Sequence, residues 1–236
     1  MKILAIVPSF NEEKSIVSVI ESIKNENSMI DILIINDGSD DKTGALAEST
    51  GMVSVVNLPC NLGIGGAVQT GFKFAKKNNY DIAFQFDGDG QHISSEINKL
   101  IGPIQKEEAD VIIGSRFIQK HIGFKSTLAR RIGIKIFEIV NSVLTKQKIT
   151  DTTSGFRAYN KKAIDFLADN YPMDYPEPEA IILLGRNGFR LKEIFIRMQE
   201  RMGGNSSITG FNSLYYMIKV LLAMLMSALR PKSLKD

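Results

Sequence analysis

Uninterrupted hydrophobic runs, each followed by a polar segment, dominate the first half of the chain. They occupy 2–8, 31–36, 53–57, 82–86 and 111–113. Continuous rather than alternating hydrophobicity is typical of strands that are buried on both faces of a parallel sheet. Between the runs, apolar residues recur at helical spacing, as at Ile16, Val19, Ile20 and Ile23. This alternation of strand and helix predicts a doubly wound α/β fold with a mainly parallel central sheet flanked by helices.

The second half of the chain has a different pattern. Residues 122–145 mix apolar and basic side chains, which predicts one or two amphipathic helices. A further set of strands and helices is expected through 156–159, 163–167, 180–184 and 189–196. Residues 211–229 are nearly all apolar, but Lys219 interrupts them, and a bilayer-spanning helix needs about 20 apolar residues. This stretch therefore predicts an interfacial helix with a basic fringe, or a helix that packs on the domain or on a partner subunit.

The composition is that of a globular protein with one unusually basic segment. The chain has 236 residues, of which 44% are hydrophobic and 23% charged, so we expect one domain over 1–208 and an apolar, membrane-associated or partner-binding helix over 209–236. A net charge of +3 is too small to indicate a nucleic-acid partner. Eight lysines and arginines but only one acid lie between Arg116 and Lys148, which suits an anionic partner. The single cysteine, Cys60, excludes an intrachain disulfide and fits a reducing compartment.

Polar and glycine-rich loops follow the predicted strands. They occupy 8–12, 37–40, 61–66 and 87–91. Because the carboxyl ends of parallel strands meet at one edge, these loops are expected to form one site. Asp37 could accept hydrogen bonds from a base or ribose, Gly65 would allow close approach of a ligand, and Asp89 with Gln91 suits Mg²⁺ or Mn²⁺ on a diphosphate. Each loop also has a purely structural interpretation as a turn, a helix cap or a close packing contact.

Six motifs occur in a fixed order along the chain. They are Ile6-Val7-Pro8-Ser9-Phe10-Asn11-Glu12, Asn36-Asp37-Gly38-Ser39-Asp40-Asp41, Leu62-Gly63-Ile64-Gly65-Gly66-Ala67, Asp87-Gly88-Asp89-Gly90-Gln91-His92, Gly114-Ser115-Arg116-Phe117 and Asp151-Thr152-Thr153-Ser154-Gly155-Phe156-Arg157. Together they resemble the motifs of family 2 glycosyltransferases, which have the Rossmann-like GT-A fold. The nearest branch is the dolichyl- and polyprenyl-phosphate hexose synthases. The resemblance covers residues 2 to about 208 and implies a nucleotide-binding half over 1–115 and an acceptor half over 116–208.

The resemblance implies roles for individual residues. The implied nucleotide contacts are Pro8, Phe10, Glu12, Asp37 and Asp87. With Gly65 and Gly88 they form the candidate nucleotide-sugar site. The implied metal ligands are Asp89 and Gln91, and Asp89 is also counted among the catalytic residues. The resemblance further implies that Arg116, Arg130 and Arg201 bind donor and acceptor phosphates, which suits the forked guanidinium group.

Two departures from the family pattern bear on the sugar donor. Asn61 stands where the polyprenyl-phosphate mannose enzymes have a lysine, and 201–207 lacks the lysine that ends their Arg-x-x-Gly-x-Ser-Lys motif. The resemblance therefore favours a UDP-sugar over GDP-mannose. It implies an inverting transfer of a hexose, with glucose favoured, to undecaprenyl phosphate at the cytoplasmic face of the membrane for cell-surface glycan synthesis. The implied partners are the nucleotide sugar, the lipid phosphate, the membrane surface and a small membrane protein or a second copy of the chain.

Two other functions stay open at this stage. A lipid phosphate is mostly dianionic at neutral pH and needs no strong base, whereas transfer to a saccharide hydroxyl would require one. Glu179, Glu177 and Asp151 are the candidate bases, and His92 could orient phosphate or water. As alternatives, the glutamates could start a helix, Asp151 could cap a loop, and His92 could be structural. The third function is a nucleotidyltransferase or an inactive nucleotide-binding module, although the chain lacks a Gly-x-x-x-x-Gly-Lys-[Ser/Thr] phosphate loop.

Overall fold

Seven strands and eight α-helices are present in the computed structural model, which describes residues 1–118, 128–199 and 212–229, with side chains described except at 128–134 and 212–218. The strands are β1 (Ile3–Ser9), β2 (Asp31–Asn36), β3 (Ser54–Asn57), β4 (Ile82–Gln85), β5 (Val111–Ser115), β6 (Arg157–Asn160) and β7 (Leu191–Phe195). The helices are α1 (Ile16–Glu26), α2 (Thr43–Ser49), α3 (Gly63–Lys77), α4 (Ile97–Gln105), α5 (Leu128–Thr145), α6 (Lys161–Asn170), α7 (Pro176–Arg186) and α8 (Asn212–Leu229). A 3₁₀ turn, Ser94–Glu96, precedes α4.

The strands form one sheet in the order β3-β2-β1-β4-β6-β5-β7. β1 pairs in parallel with β2 and β4, and β5 pairs in parallel with β7. β6 lies antiparallel between β4 and β5. The predicted mainly parallel sheet flanked by helices is confirmed. The antiparallel strand matters for the site, because β6 begins at the edge where β4 and β5 end.

The continuous hydrophobicity of β1 follows from apolar layers on both faces of the sheet. Leu4 and Ile6 pack in the core that α3, α6 and α7 cover, whereas Ala5 and Val7 pack in the core that α1 and α4 cover. The apolar positions of α1, which are Ile16, Val19, Ile20 and Ile23, are all buried as its spacing predicted. With both faces of the sheet covered, its strand ends are left as the polar surface for a ligand.

Three helices in the second half form a separate small core. Phe137 of α5, Ile182 of α7 and Met224 of α8 are buried together. The apolar stretch near the C-terminus is therefore helical and packs on the domain through one side. No helix in the described ranges is both long and apolar enough to cross a bilayer.

Candidate functional site

The loops that the sequence singled out meet at one edge of the sheet. Asp37 follows β2 and Asp87 lies just beyond β4, and these two strands flank β1. The Asp37 backbone N–H donates to the Ser9 carbonyl at 2.9 Å, which ties the ends of β2 and β1 together. Because β6 is antiparallel, residues 151–156 enter the sheet at this same edge, and β5 ends there at Ser115. The edge thus runs from Asp37 through Asp87 to Arg116.

The first two loops are joined by reciprocal hydrogen bonds. Asn11, in the left-handed region with φ of 57°, donates its backbone N–H to Ser39 Oγ at 3.0 Å. The Asn11 side-chain Oδ1 accepts the Asp40 backbone N–H at 2.9 Å. The Glu12 backbone N–H donates to Thr43 Oγ1 at 2.8 Å. Loops 9–13 and 37–43 therefore form one preorganised wall of the site.

Three of the predicted nucleotide-contacting residues differ in their solvent exposure. Phe10 is 43% exposed, so its ring is accessible to a ligand at this edge. Asp37 is buried, and its Oδ1 accepts the Leu62 backbone N–H at 2.7 Å. Glu12 is buried as well, and its Oε2 accepts the Ser15 hydroxyl at 3.1 Å. Asp37 thus fixes the start of α3 relative to β2.

The loop after β4 is packed tightly against β1 and α1. A Cβ at Gly88 would lie 2.6 Å from Ser9 Oγ and 3.2 Å from the Pro8 carbonyl oxygen. The Gly88 carbonyl accepts the Ser15 hydroxyl at 2.7 Å. The absence of a side chain at Gly88 therefore lets the loop lie close to Ser9 and to the Pro8 carbonyl at the end of β1.

Asp89 and Gln91 are brought together by the turn that follows. The Gln91 backbone N–H donates to Asp89 Oδ1 at 3.0 Å. A residue far along the chain holds the turn from outside, because Gln199 donates its backbone N–H to the Gln91 carbonyl at 3.0 Å and its side-chain Nε2 to the Gly90 carbonyl at 2.7 Å. The turn is consequently fixed from two sides.

The donor atoms at this turn are suited to a hard divalent cation. Carboxylate and amide oxygens are ligands that Mg²⁺ and Mn²⁺ accept, and a cation held by one or two protein groups keeps positions for phosphate oxygens. Within the described ranges there is no group of three or more histidine, cysteine, aspartate or glutamate side chains arranged to hold a metal. Asp89 and Gln91 therefore fit a cation that is completed by a ligand's diphosphate, and they do not fit a closed structural metal site.

His92 supports this loop from the core. Its ring stacks on Phe156 at a centroid distance of 4.5 Å and meets Phe86 edge-on at 5.3 Å. The Asp87 backbone N–H donates to His92 Nδ1 at 3.0 Å, so the neutral ring carries its proton on Nε2. Burial lowers the pKa of His92, although the charges of Asp87 and Asp89 act in the opposite direction. His92 Nε2 also lies 3.5 Å from Asp87 Oδ2, so the buried ring holds both ends of Asp87 in place.

Arg116 and Asp151 form a buried ion pair at the far end of the edge. Arg116 Nε and an Nη of its guanidinium donate to the two Asp151 oxygens at 2.7 and 2.8 Å, and the Arg116 backbone N–H donates to Asp151 Oδ2 at 3.1 Å. The same Nη also donates to Thr153 Oγ1 at 2.9 Å. Burial opposes the charge of Arg116, but Asp151 outweighs burial and raises the pKa of Arg116. This fork presents a permanent positive charge in a fixed orientation.

The two glutamates that begin α7 have different surroundings. Glu179 is buried, and its oxygens accept the Tyr175 backbone N–H at 3.1 Å and the Ser227 hydroxyl of α8 at 2.5 Å. Glu177 is half-buried, and burial raises the pKa of its carboxyl, with the charge of Arg157 lowering it and that of Asp87 raising it further. The charge of Asp87 therefore acts on the Glu177 carboxyl. The Glu179 carboxylate binds α8 through Ser227.

Comparison with known proteins is consistent with this geometry. The family model described as glycosyl transferase family 2 matches residues 4–167. The chain belongs to this family. It is 30% identical over 239 residues to the UDP-N-acetylglucosamine–dolichyl-phosphate N-acetylglucosaminyltransferase of Methanococcus voltae, which covers 92% of this chain and 94% of the relative. It is 28% identical over 225 residues to the polyprenol monophosphomannose synthase of Mycolicibacterium smegmatis, which covers 92% of this chain and 84% of the relative.

Solved structures place the glycosyltransferase in the GT-A fold. The glucosyl-3-phosphoglycerate synthase of Mycobacterium tuberculosis, in complex with Mn²⁺, UDP and phosphoglyceric acid, superposes with a TM-score of 0.69 at 19% sequence identity. The match covers 98% of this chain and 80% of that chain. The predicted family, fold and enzyme class are confirmed.

Most predicted site residues of this glycosyltransferase converge, but some do not face the edge. Gly65 lies under the 172–173 backbone, where a Cβ would be 2.5 Å from the Met173 carbonyl oxygen, so its surroundings indicate helix packing. Glu179 lies at the contact between α7 and α8. Arg130 is in α5, but its side chain lies outside the described part, and Arg201 lies outside the described residues altogether. Their catalytic roles remain predictions.

Three residues that hold the site were not singled out from the sequence. A Cβ at Gly155 would lie 2.6 Å from Gln85 Nε2 and 3.3 Å from Asp87 Oδ2, so a larger residue would displace these two side chains. Glu193 of β7 accepts the backbone N–H groups of Thr150 and Asp151 at 2.8 and 2.7 Å. Gln199 holds the turn at residues 89–91. The position of Gly155 within a motif was a signal, but Glu193 and Gln199 had none.

The contact between Glu179 and Ser227 leads to a prediction about α8. Ser227→Ala would leave a buried carboxylate oxygen without this donor, and we expect a loss of about 1–3 kcal/mol in the free energy of unfolding. Hydrogen exchange of residues 219–229 should accelerate. Ser49→Ala, which removes an exposed helix hydroxyl, is the matched control and should change neither. Unchanged exchange in Ser227→Ala would contradict the anchoring role.

Proposed function

We propose that this glycosyltransferase moves a hexose, with glucose favoured, from a UDP-sugar to undecaprenyl phosphate with inversion at the sugar carbon. The observation that carries the proposal is the convergence of Asp37, the Asp89–Gln91 turn and the Arg116–Asp151 pair on one sheet edge. This edge offers hydrogen-bond acceptors for a nucleoside, hard oxygen ligands for a metal-bound diphosphate and a fixed cation for a second phosphate.

The donor would lie along the edge in the order of the strands. Asp37 and the exposed ring of Phe10 are on the β2 and β1 side and suit the base and ribose. Asp89 and Gln91 are next and would hold the divalent cation on the diphosphate. When bound, Mg²⁺ or Mn²⁺ neutralises charge that develops on the departing diphosphate. The hexose would then reach Asp87 and the 151–155 segment on the β6 side.

Positioning and electrostatics suffice for transfer to a lipid phosphate. The nucleophile is already a dianion at neutral pH, so the protein needs to hold it in line and offset its charge. Arg116 has its Nε and one Nη engaged by Asp151, which fixes the direction of its positive charge. We propose that Arg130 and Arg201 complete the phosphate site from the acceptor half, residues 116–208.

The named relatives support the substrate class. The relative from M. voltae is named for a UDP-sugar and dolichyl phosphate, and the relative from M. smegmatis for a polyprenol phosphate. The sugars named for these relatives differ. Our preference for glucose and for a UDP donor is therefore based on the sequence at Asn61 and at 201–207. Asn61 accepts the Gly63 backbone N–H at 2.9 Å and thereby shapes the loop that Asp37 holds at Leu62.

The proposal is tested with purified enzyme, radiolabelled UDP-glucose, undecaprenyl phosphate and Mn²⁺. We expect a labelled lipid product that is lost on chelation with EDTA and restored by added Mn²⁺. UDP-N-acetylglucosamine, UDP-galactose and GDP-mannose serve as competing donors. A product that forms only when a saccharide acceptor replaces the lipid phosphate would reject the proposed acceptor.

A saccharide acceptor is the second candidate, and the environment of Glu177 favours it. Transfer to a hydroxyl requires a base whose pKa is close to the working pH. Burial raises the pKa of Glu177 above the ordinary value of a glutamate, and the charge of Asp87 raises it further. With a saccharide acceptor the rate would follow titration of Glu177, whereas transfer to lipid phosphate should be insensitive to Glu177→Gln beyond any loss of donor affinity.

We propose that α5 and α8 bring the enzyme to the cytoplasmic face of the membrane. The exposed apolar residues on these two contacting helices are Ile136, Ile139 and Val143 of α5 and Leu222, Leu225, Met226 and Leu229 of α8. Apolar surface of this kind next to basic residues suits an anionic bilayer surface. A small membrane protein or a second copy of the chain is the other occupant that this surface would accept.

Vesicle binding tests the membrane proposal. Met226 is 65% exposed, and Met226→Glu places a charge on the apolar face, so we expect at least about a fivefold loss of binding to vesicles containing anionic lipid. Met29 is 84% exposed and precedes the start of β2, outside α5 and α8. Met29→Glu is therefore the matched control. Equal binding of both variants and the wild type would reject this surface as the docking site.

A further inference from the structure

One fully buried cation is not explained by the site described above. Arg157, the first residue of β6, is 1% exposed. Its two Nη groups donate to backbone carbonyls, one to Glu177 at 2.8 Å and the other to Thr152 at 2.9 Å. Within the described ranges no carboxylate lies within ion-pair distance of it. A buried guanidinium without an ion pair is costly, so its position calls for a compensating role.

The two carbonyls that Arg157 binds belong to different parts of the site edge. Thr152 follows Asp151, which holds Arg116. Glu177 is in the first turn of α7. Arg157 therefore joins the 151–153 loop to the start of α7, and a lysine could not make both contacts because its ammonium is a single point donor group rather than a fork.

Polar groups continue from Arg157 to the edge. Gln85 follows Phe84, which pairs with Ala158, so Gln85 lies next to Arg157 across the two strands. Gln85 donates its Nε2 to Asp87 Oδ1 at 2.9 Å, while Gln85 Oε1 and Arg157 Nε are buried and have no hydrogen-bond partner in the described part of the chain. A row of polar side chains thus leads from the buried cation to the Asp87 carboxylate.

Charge explains why a cation belongs at this place. Burial and the charge of Asp87 raise the pKa of Glu177, and the charge of Arg157 lowers it. Two like charges in a poorly solvated setting repel each other. A fixed guanidinium behind them offsets that repulsion and holds both oriented as hydrogen-bond acceptors.

We propose that Arg157 is a positioning residue for the sugar end of the donor, an inference that rests on the proposed function. It holds the first turn of α7 and the 151–153 loop so that Asp87 and Glu177 face the same ligand hydroxyl groups. Its hydrogen bonds go to the β6 side of the edge, away from loops 9–13 and 37–43. Its loss should therefore affect recognition of the hexose and not of the nucleotide.

Comparing the binding of UDP with that of UDP-glucose separates these two effects. Titration calorimetry with Mn²⁺ gives both dissociation constants for the wild type, Arg157→Lys and Glu177→Gln. We expect Arg157→Lys to weaken UDP-glucose about tenfold or more while UDP changes less than about twofold, and Glu177→Gln to shift the same ratio in the same direction. Arg190→Lys is the matched control, since Arg190 pairs with Asp110 at the opposite end of the strands, and should leave both constants unchanged.

A parallel loss of UDP and UDP-glucose affinity, or no loss of either, would overturn the positioning role. If Arg157→Lys does not fold, Glu177→Gln still tests the proposal, because it keeps the backbone contact with Arg157 and replaces only the half-buried carboxylate. An unchanged ratio of the two constants would show that Glu177 does not contact the sugar, which would overturn the role for which Arg157 is proposed to hold it. Failure of the proposed function has a different signature. In that case the wild type itself binds neither UDP nor a panel of UDP-hexoses, whatever the variants do.

Discussion

Replacing Asp89 with alanine is expected to reduce hexose transfer by about 100-fold or more, while leaving the protein folded. Asp89 is the carboxylate of the proposed metal-binding turn, residues 89–91, and also accepts the Gln91 backbone N–H. On the proposed function, its loss would remove a ligand of the cation that offsets the charge of the departing diphosphate, and such charge stabilisation is commonly the largest contribution to catalysis. Initial rates of transfer from radiolabelled UDP-glucose, measured at several Mn²⁺ concentrations, check this result.

The matched control is Asp165→Ala on α6, because Asp165 is a half-exposed carboxylate whose ion pair, within the part of the chain that the structure describes, is with Lys161 on its own helix at 3.4 Å. This control should keep its rate and its dependence on Mn²⁺. Thermal unfolding of both variants shows whether the Asp89 variant is folded. A transfer rate in Asp89→Ala close to that of the wild type would remove the metal role assigned to this turn.

The central strands and the shared edge at which they end could be predicted because each hydrophobic run has a direct physical cause. β1 is apolar throughout because Leu4 and Ile6 pack on one face and Ala5 and Val7 on the other. A chain that alternates such runs with amphipathic helices has little choice but a parallel sheet. The position of Asp37 and Asp87 at one edge then follows from strand polarity alone.

The side of a helix on which a carboxylate lies was harder to predict. Glu177 and Glu179 are two positions apart, so they point about 200° apart around the axis of α7 and cannot both face one site. The sequence shows both as acids in a first turn. Which of the two faces the edge depends on how α8 packs. The Ser227 hydroxyl on α8 donates a hydrogen bond to Glu179.

Contacts between distant segments could not be predicted from the sequence either, because they too depend on tertiary packing. Glu193 accepts the Asp151 backbone N–H, and Gln199 donates to the backbone carbonyls of Gly90 and Gln91; such backbone groups carry no sequence signature. Antiparallel insertion of β6 between β4 and β5 was also not encoded in any local pattern, because a four-residue buried strand has the same composition in either direction. These are the features that turn a set of loops into a fixed site.

Breaking the Arg116–Asp151 pair is expected to have the second large effect, and on both stability and transfer. The Asp151 side chain is fully buried and accepts three hydrogen bonds from Arg116. Asp151→Asn removes its charge and leaves a mostly buried guanidinium unpaired, which costs about 3–5 kcal/mol in the free energy of unfolding. Urea unfolding measures this loss, and transfer rates should fall because Arg116 no longer keeps a fixed orientation.

Asp110→Asn separates the catalytic part of that effect from the structural part. Asp110 accepts a similar fork from Arg190, at 3.1 and 3.3 Å, but it lies at the start of β5, at the opposite end of the strand from Arg116. Its replacement should lower stability by a smaller amount, because Arg190 is largely exposed and water compensates for the lost pair. Transfer at saturating substrate and at a temperature where both variants are folded should fall only in Asp151→Asn. Equal transfer rates in the two variants would mean that the buried pair stabilises the fold and does not orient Arg116 toward the reacting phosphates.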